Sequence, residues 1–150
     1  MNRTSVLNGI VRGINANSYL EIGVDNGMNF NAVDCKHKIG VDPTPKVSVT
    51  HQMTSDTFFE QNKEKFDLIF IDGLHHSDQV LRDINNSLEI LNEGGRIVCH
   101  DTCPKTKNAQ LIPYPGTGDW NGDCWKAIVQ LRMQNPNVKV STFDFDHGLT

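Results

Sequence analysis

Two short stretches concentrate groups able to move a proton. DGLHHS places Asp72, His75 and His76 close together, and CHDT places His100, Asp101 and Thr102 in succession. Imidazole titrates near neutrality, so a histidine at either place could act as a general base, and neighbouring strand ends could bring the two groups together. A third stretch, YLEIGVDNG, has a different character: one carboxylate, Glu21, lies in an apolar run that breaks at Gly23 and Gly27. Glycine after a strand lets the chain turn sharply and a ligand approach closely, and a helix opening beyond it offers free N–H groups. The spacing is G-x-x-x-G, without the G-x-G-x-x-G of a dinucleotide site or the Lys-Ser/Thr ending of a P-loop. Glu21 would repel phosphate and could help receive an ammonium, so the loop suits an amino acid head group. Asp42, ending IGVD, is placed to accept two ribose hydroxyls. Either feature alone is commonly a turn glycine or a capping Asp. Their joint spacing suits a nucleoside that bears an amino acid.

The elements that must carry these groups alternate in type. Helices are expected over Arg3 to Ile14, from near Gly27, from Thr57 with a T-x-x-E capping box, over Val80 to Leu91 with a stop at Gly94-Gly95, and from Asp123 to Gln134. Strands are expected over Ser18 to Val24, His37 to Asp42, Lys46 to His51, Phe66 to Asp72, Gly95 to Asp101 and Val138 to Phe145. Such alternation indicates an α/β fold with a Rossmann-like, doubly wound, mostly parallel sheet and helices on both faces. Ligands then sit beyond the carboxyl ends of the strands, where the polar residues above fall.

A chain of 150 residues fits a single domain spanning 1–150. Net charge is −4 with Lys and Arg scattered, which offers no footprint for nucleic acid or an anionic membrane. LIFI, Leu68 to Ile71, is typical of the longest apolar runs, too short for a membrane span, and MNRTSVLNGI lacks a signal-peptide core. A cytoplasmic protein with reduced cysteines (Cys35, Cys99, Cys103, Cys124) is expected.

YLEIGVDNG, IGVDP, FDLIFIDGLHH and GGRIVCHD, in that order, resemble the class I S-adenosylmethionine-dependent methyltransferases, and within them the small-molecule branch that includes catechol O-methyltransferase. The resemblance covers roughly Ser18 to Thr102. It implies that Glu21, Gly23, Gly27 and Asn29 surround the methionine moiety of S-adenosylmethionine and that Asp42 holds the ribose. It implies Met53, Ser55 and Asp56 around the adenine and Asp72 beside the methyl-bearing end. His75 falls where metal-dependent relatives carry a catalytic lysine, which makes it the preferred general base, with Asp72, His100 and Asp101 as further catalytic candidates. Those relatives bind a divalent cation such as magnesium; the corresponding positions are Asp72, Asp101 and Thr102, with threonine in place of asparagine.

The long segment from Thr102 to Gly122 suits a lid, with Trp120 as the candidate for contact with a small-molecule acceptor and Trp125 packing the last helix on the sheet. His76 is expected to cap a helix or face solvent. The resemblance also implies a final antiparallel strand, and DFDHGLT ends as its hairpin turn should begin. That strand is expected to be missing or truncated, and a homo-oligomer could cover the sheet edge. The expected function is methyl transfer to oxygen of a small acceptor. The alternatives are a cofactor-binding sensor or subunit without turnover, or a nucleotide-sugar or NAD-type enzyme.

Overall fold

The computed structural model describes all 150 residues. The elements run α1 (Arg3–Ile14), β1 (Ser18–Ile22), α2 (Met28–Ala32), β2 (His37–Val41), α3 (Ser55–Gln61), β3 (Phe66–Ile71), α4 (Ser77–Glu89), β4 (Leu91–Cys99), a 3-10 turn (Asn108–Gln110) and α5 (Cys124–Gln134). The four strands form one parallel sheet in the order β2-β1-β3-β4. Ile22 is level with both Val41 and Ile71, and Ile71 is level with Cys99. This register brings Gly23, Asp42, Asp72 and His100 out of the sheet side by side.

Strand alternation divides the core into two layers. Leu20, Ile22, Ile69 and Ile71 face one way and pack with Phe58 of α3, Val80 and Ile84 of α4, and Ala127 and Leu131 of α5. Tyr19, Leu68 and Phe70 face the other way and meet Leu7 and Val11 of α1. Glu21 shares the face of Tyr19, which places a carboxylate under the α1 layer.

Several local expectations are corrected. The segment 46–51 contributes only a one-residue bridge, His51 to Val41. Pro43 and Pro45 cannot donate to a ladder, and the Lys46 N–H is drawn to the Asp25 carbonyl. The segment 138–145 contributes only Phe143, paired antiparallel with Leu149, because Asp146, His147 and Gly148 all adopt left-handed conformations and turn the chain back. The returning arm exchanges two backbone hydrogen bonds between Thr150 and Cys99, beginning an antiparallel pairing beside β4. Helix α3 starts at Ser55, capped by Thr54, whose hydroxyl accepts from Thr57 N–H. Helix α4 ends at Glu89, and Gly94-Gly95 lie within β4 where the pairing shifts register. Asp123 caps α4 rather than its own helix: its carboxylate accepts from the Ser77 backbone N–H at 2.7 Å and from the Ser77 hydroxyl at 3.1 Å. No helix is long and apolar enough to cross a membrane.

Gly23 has φ +88, and a Cβ there would lie 2.1 Å from the Asp72 carbonyl oxygen; Gly94 has φ +77 with open space around it. Both substitutions to alanine strain the backbone, but only the first also forces β1 and β3 apart. Chemical denaturation should show Gly23→Ala losing about 3 kcal/mol and Gly94→Ala about 1 kcal/mol.

Candidate active site

The aligned strand ends open into a cleft of about 1000 Å³. Its cofactor side is built from the β1–α2 loop. Asp42 Oδ2 accepts from the backbone N–H groups of Val24 and Asp25, both at 2.9 Å, while Oδ1 accepts from Thr44 N–H at 2.8 Å. The residue expected on the ribose therefore also shapes the loop, and it lines the cleft with Gly23, Asn29 and Glu21. Gly27 has φ +74 as it leads into α2. Asn29 reaches back from α2 to donate to Glu21 at 3.0 Å, and the Tyr19 hydroxyl also donates to Glu21. Burial raises the Glu21 carboxyl to about 7, against the lowering effect of those two hydrogen bonds.

Ser55 and Asp56 line the far end of the cleft, both held by the Gln79 side-chain amide. Met53 does not join them, because its side chain packs against the apolar core.

At the other end, the β3 and β4 ends bring four expected residues together. His75 Nε2 lies 3.1 Å from Asp101 Oδ2 and 3.6 Å from Asp72 Oδ1, while its Nδ1 faces the Trp120 carbonyl at 3.1 Å. His100 Nδ1 lies 3.1 Å from Asp72 and 3.0 Å from Asp101, while Nε2 faces the Asp146 carbonyl at 2.7 Å. Every imidazole nitrogen thus faces an acceptor, an arrangement that favours the doubly protonated ring. For His100 burial opposes the charge, but the hydrogen bonds to Asp101 and Asp72 outweigh it and raise the group to about 10. His75 is raised in the same balance, by Asp72 and Asp101 against burial. Asp72 is held well below the usual carboxylate range: burial opposes ionisation, but His100, His75 and Arg3 stabilise the anion.

The two histidines differ in access. The His100 side chain is 3% exposed, whereas that of His75 is 22% exposed. Both line the cleft, but His75 presents more of its ring to a molecule there. His76 sits at the α4 N-cap position without a side-chain cap bond, its ring edge-on to Trp120.

Thr102, expected as a cation ligand, is turned away; its hydroxyl bonds to that of Thr150 at 2.8 Å. Asp72, His75 and Asp101 instead bring one ligand atom each within 4.8 Å of one another. Trp120 lines the cleft, its ring 5.1 Å from that of His75 and its indole N–H bonded to the Leu111 carbonyl. Trp125 is half-buried and donates to Gln110 of the loop rather than packing on the sheet.

Three sets of contacts escaped sequence reasoning. Asn121, 1% exposed, donates to Asp101 at 2.6 Å. Arg3 donates to Asp72 at 2.7 Å and grips Asp146 through its Nε and second terminal nitrogen at 3.3 and 3.1 Å. Asp146 lies in the hairpin that was legible only as a turn.

The profile of a family described as a methyltransferase domain matches residues 37–102. None of the curated proteins compared matches the chain by sequence. Among solved structures, a methyltransferase of Podospora anserina bound to S-adenosylhomocysteine has a TM-score of 0.69 at 20% identity, over 98% of this chain and 75% of the other. An O-methyltransferase from Bacillus cereus in complex with S-adenosylhomocysteine gives 0.70 at 16% identity, over 98% and 78%. The O-methyltransferase TomG from Streptomyces achromogenes, in complex with S-adenosylmethionine, gives 0.64 at 12% identity, over 98% and 77%. The chain thus carries a methyltransferase-domain match over residues 37–102 and shares the Rossmann-like fold of these solved methyltransferases over nearly all of its length.

Proposed function

We propose that the protein transfers the methyl group of S-adenosylmethionine to oxygen on a small acceptor, with His75 taking the acceptor's proton. The observation that carries this reading is the partly exposed His75 ring, oriented by the buried Asp101 and set beside Asp72 at the end of the cleft. Methyl transfer is an in-line displacement, so positioning and deprotonation of the acceptor supply most of the rate. In this reading Glu21 and Asn29 hold the methionine end and Asp42 the ribose. Ser55 and Asp56 border the adenine, and Trp120 walls the acceptor. An acceptor hydroxyl entering beside His75 Nε2 takes the place of a carboxylate as its partner once the ring is neutral. Because the carboxylates raise His75, that neutral form is reached at a higher pH than for a free imidazole.

The donor set for a divalent cation is Asp72, His75 and Asp101. Two carboxylates and an imidazole suit manganese, iron or zinc better than magnesium. Arg3, His75 and His100 already balance Asp72, Asp101 and Asp146, so a cation must displace the proton on His75 Nε2. Such a cation would hold and polarise the acceptor oxygen. The second reading, cofactor binding without turnover, draws on the same saturation of both imidazoles.

Calorimetric titration with S-adenosylhomocysteine should give saturable binding that Asp42→Ala weakens at least about tenfold, with thermal melts confirming that the variant is folded. Absence of binding to the folded wild type would overturn the cofactor assignment. Affinity should also rise as pH rises through about 7, because Glu21 then ionises and attracts the ligand's ammonium; Glu21→Gln should flatten that dependence. In an acceptor screen, His75→Gln should cut turnover about a hundredfold while leaving S-adenosylhomocysteine binding intact. Retained turnover in that variant would remove His75 as the base, and binding without any turnover by the wild type would favour the second reading.

A further inference from the structure

We propose that Arg3 is a positioning residue of the methyl-transfer site, joining Asp72 and Asp146 so that His100 is held between them. The proposal rests on the reading above, which supplies the reaction that Arg3 serves. Four side chains from distant parts of the chain close a circuit. Arg3 donates to Asp72 Oδ2; His100 Nδ1 faces Asp72 Oδ1; His100 Nε2 faces the Asp146 carbonyl; and the Asp146 carboxylate returns to Arg3. The Arg3 backbone N–H also donates to Asp146, at 2.5 Å.

Helix α1 does not need Arg3 for its own start. Asn2 and Ser5 already form a complete capping box, which satisfies the first turn. The arginine faces the cleft, as does the next residue, Thr4, whose hydroxyl donates to Asn29 at 2.8 Å and so reaches the Glu21 network. The first turn of α1 therefore contacts both the cofactor end and the methyl end of the site.

The hairpin it grips is strained. Asp146 and His147 have φ of +47 and +62, conformations that persist only when their surroundings fix them. Arg3 fixes the Asp146 carboxylate, and the carbonyl of the same residue then stands where His100 requires an acceptor. Without the guanidinium the turn is free to relax, and His100 loses the Nε2 contact that helps orient it beside Asp72 and Asp101. A lysine cannot replace this function fully. It offers a compact charge, whereas the guanidinium fork addresses two carboxylates from fixed directions.

The test compares Arg3→Gln and Arg3→Lys with Arg12→Gln, an arginine on the same helix outside the site. Amide hydrogen exchange is followed at Thr102, Cys103 and Gly148, whose N–H groups bond to the carbonyls of Gly148, His147 and Phe145. Arg3→Gln should lower protection there on the order of tenfold and broaden the low-field Nε2–H proton signal of His100, with Arg3→Lys intermediate and Arg12→Gln unchanged. With any acceptor the wild type turns over, kcat should fall more than the cofactor KM changes. Unchanged hairpin protection, or a loss confined to α1 amides such as Val6 and Leu7, would overturn the proposal. S-adenosylhomocysteine binding by the wild type is a separate readout, so failure of the cofactor assignment remains distinguishable from failure of the Arg3 role.

Discussion

The structure depends on keeping three carboxylates together at the end of a parallel sheet. Asp72, Asp101 and Asp146 would repel one another if left alone, and burial would make each charge costlier. Arg3, His75 and His100 balance them one for one, and the geometry distributes the contacts so that no acid relies on a single partner. Because these groups come from α1, the β3 and β4 ends and the C-terminal hairpin, charge neutralisation also fixes where those segments sit. The electrostatics of the site and the closure of the fold are one constraint.

The sheet supplies the rest by register. Level strand ends place a glycine, two aspartates and a histidine in a row, each just beyond a strand whose final residues are largely apolar. Burial of those strand ends on both faces makes the row stiff, and stiffness is what a displacement reaction requires of its surroundings. Gly23 shows how close the packing is, since the β1 turn lies directly against the backbone after β3.

Much of this was legible in the residues. The apolar runs 18–22 and 66–71 announced buried strands, and the polar residues that follow them announced the cleft. The signal failed where tertiary contacts overrode local pattern. KVSVTH has the alternation of a strand, yet two prolines and a pull toward Asp25 reduce it to one bridge. Gly94-Gly95 read as a helix stop but serve a register shift inside β4. Thr102 occupied the expected position for a cation ligand, but the arm carrying Thr150 claims its hydroxyl. Arg3 and Asp146 gave no warning at all, because a lone charge near a helix start or in a turn ordinarily faces water.

The loop that carries Trp120 is anchored from its far end. Asn121 bonds to Asp101, and Asp123 bonds to the first residue of α4, so Trp120 stands immediately before two fixed points. The stretch from Lys105 to Asp119 is largely exposed and closes a span whose ends are already set. Changing its length costs little, since closure entropy grows only slowly with added residues. That stretch can therefore change by insertion, deletion or substitution while Asp72, His75 and Asp101 keep their geometry. The rim of the cleft and the charged cluster at its base are thus free to vary separately within one short chain.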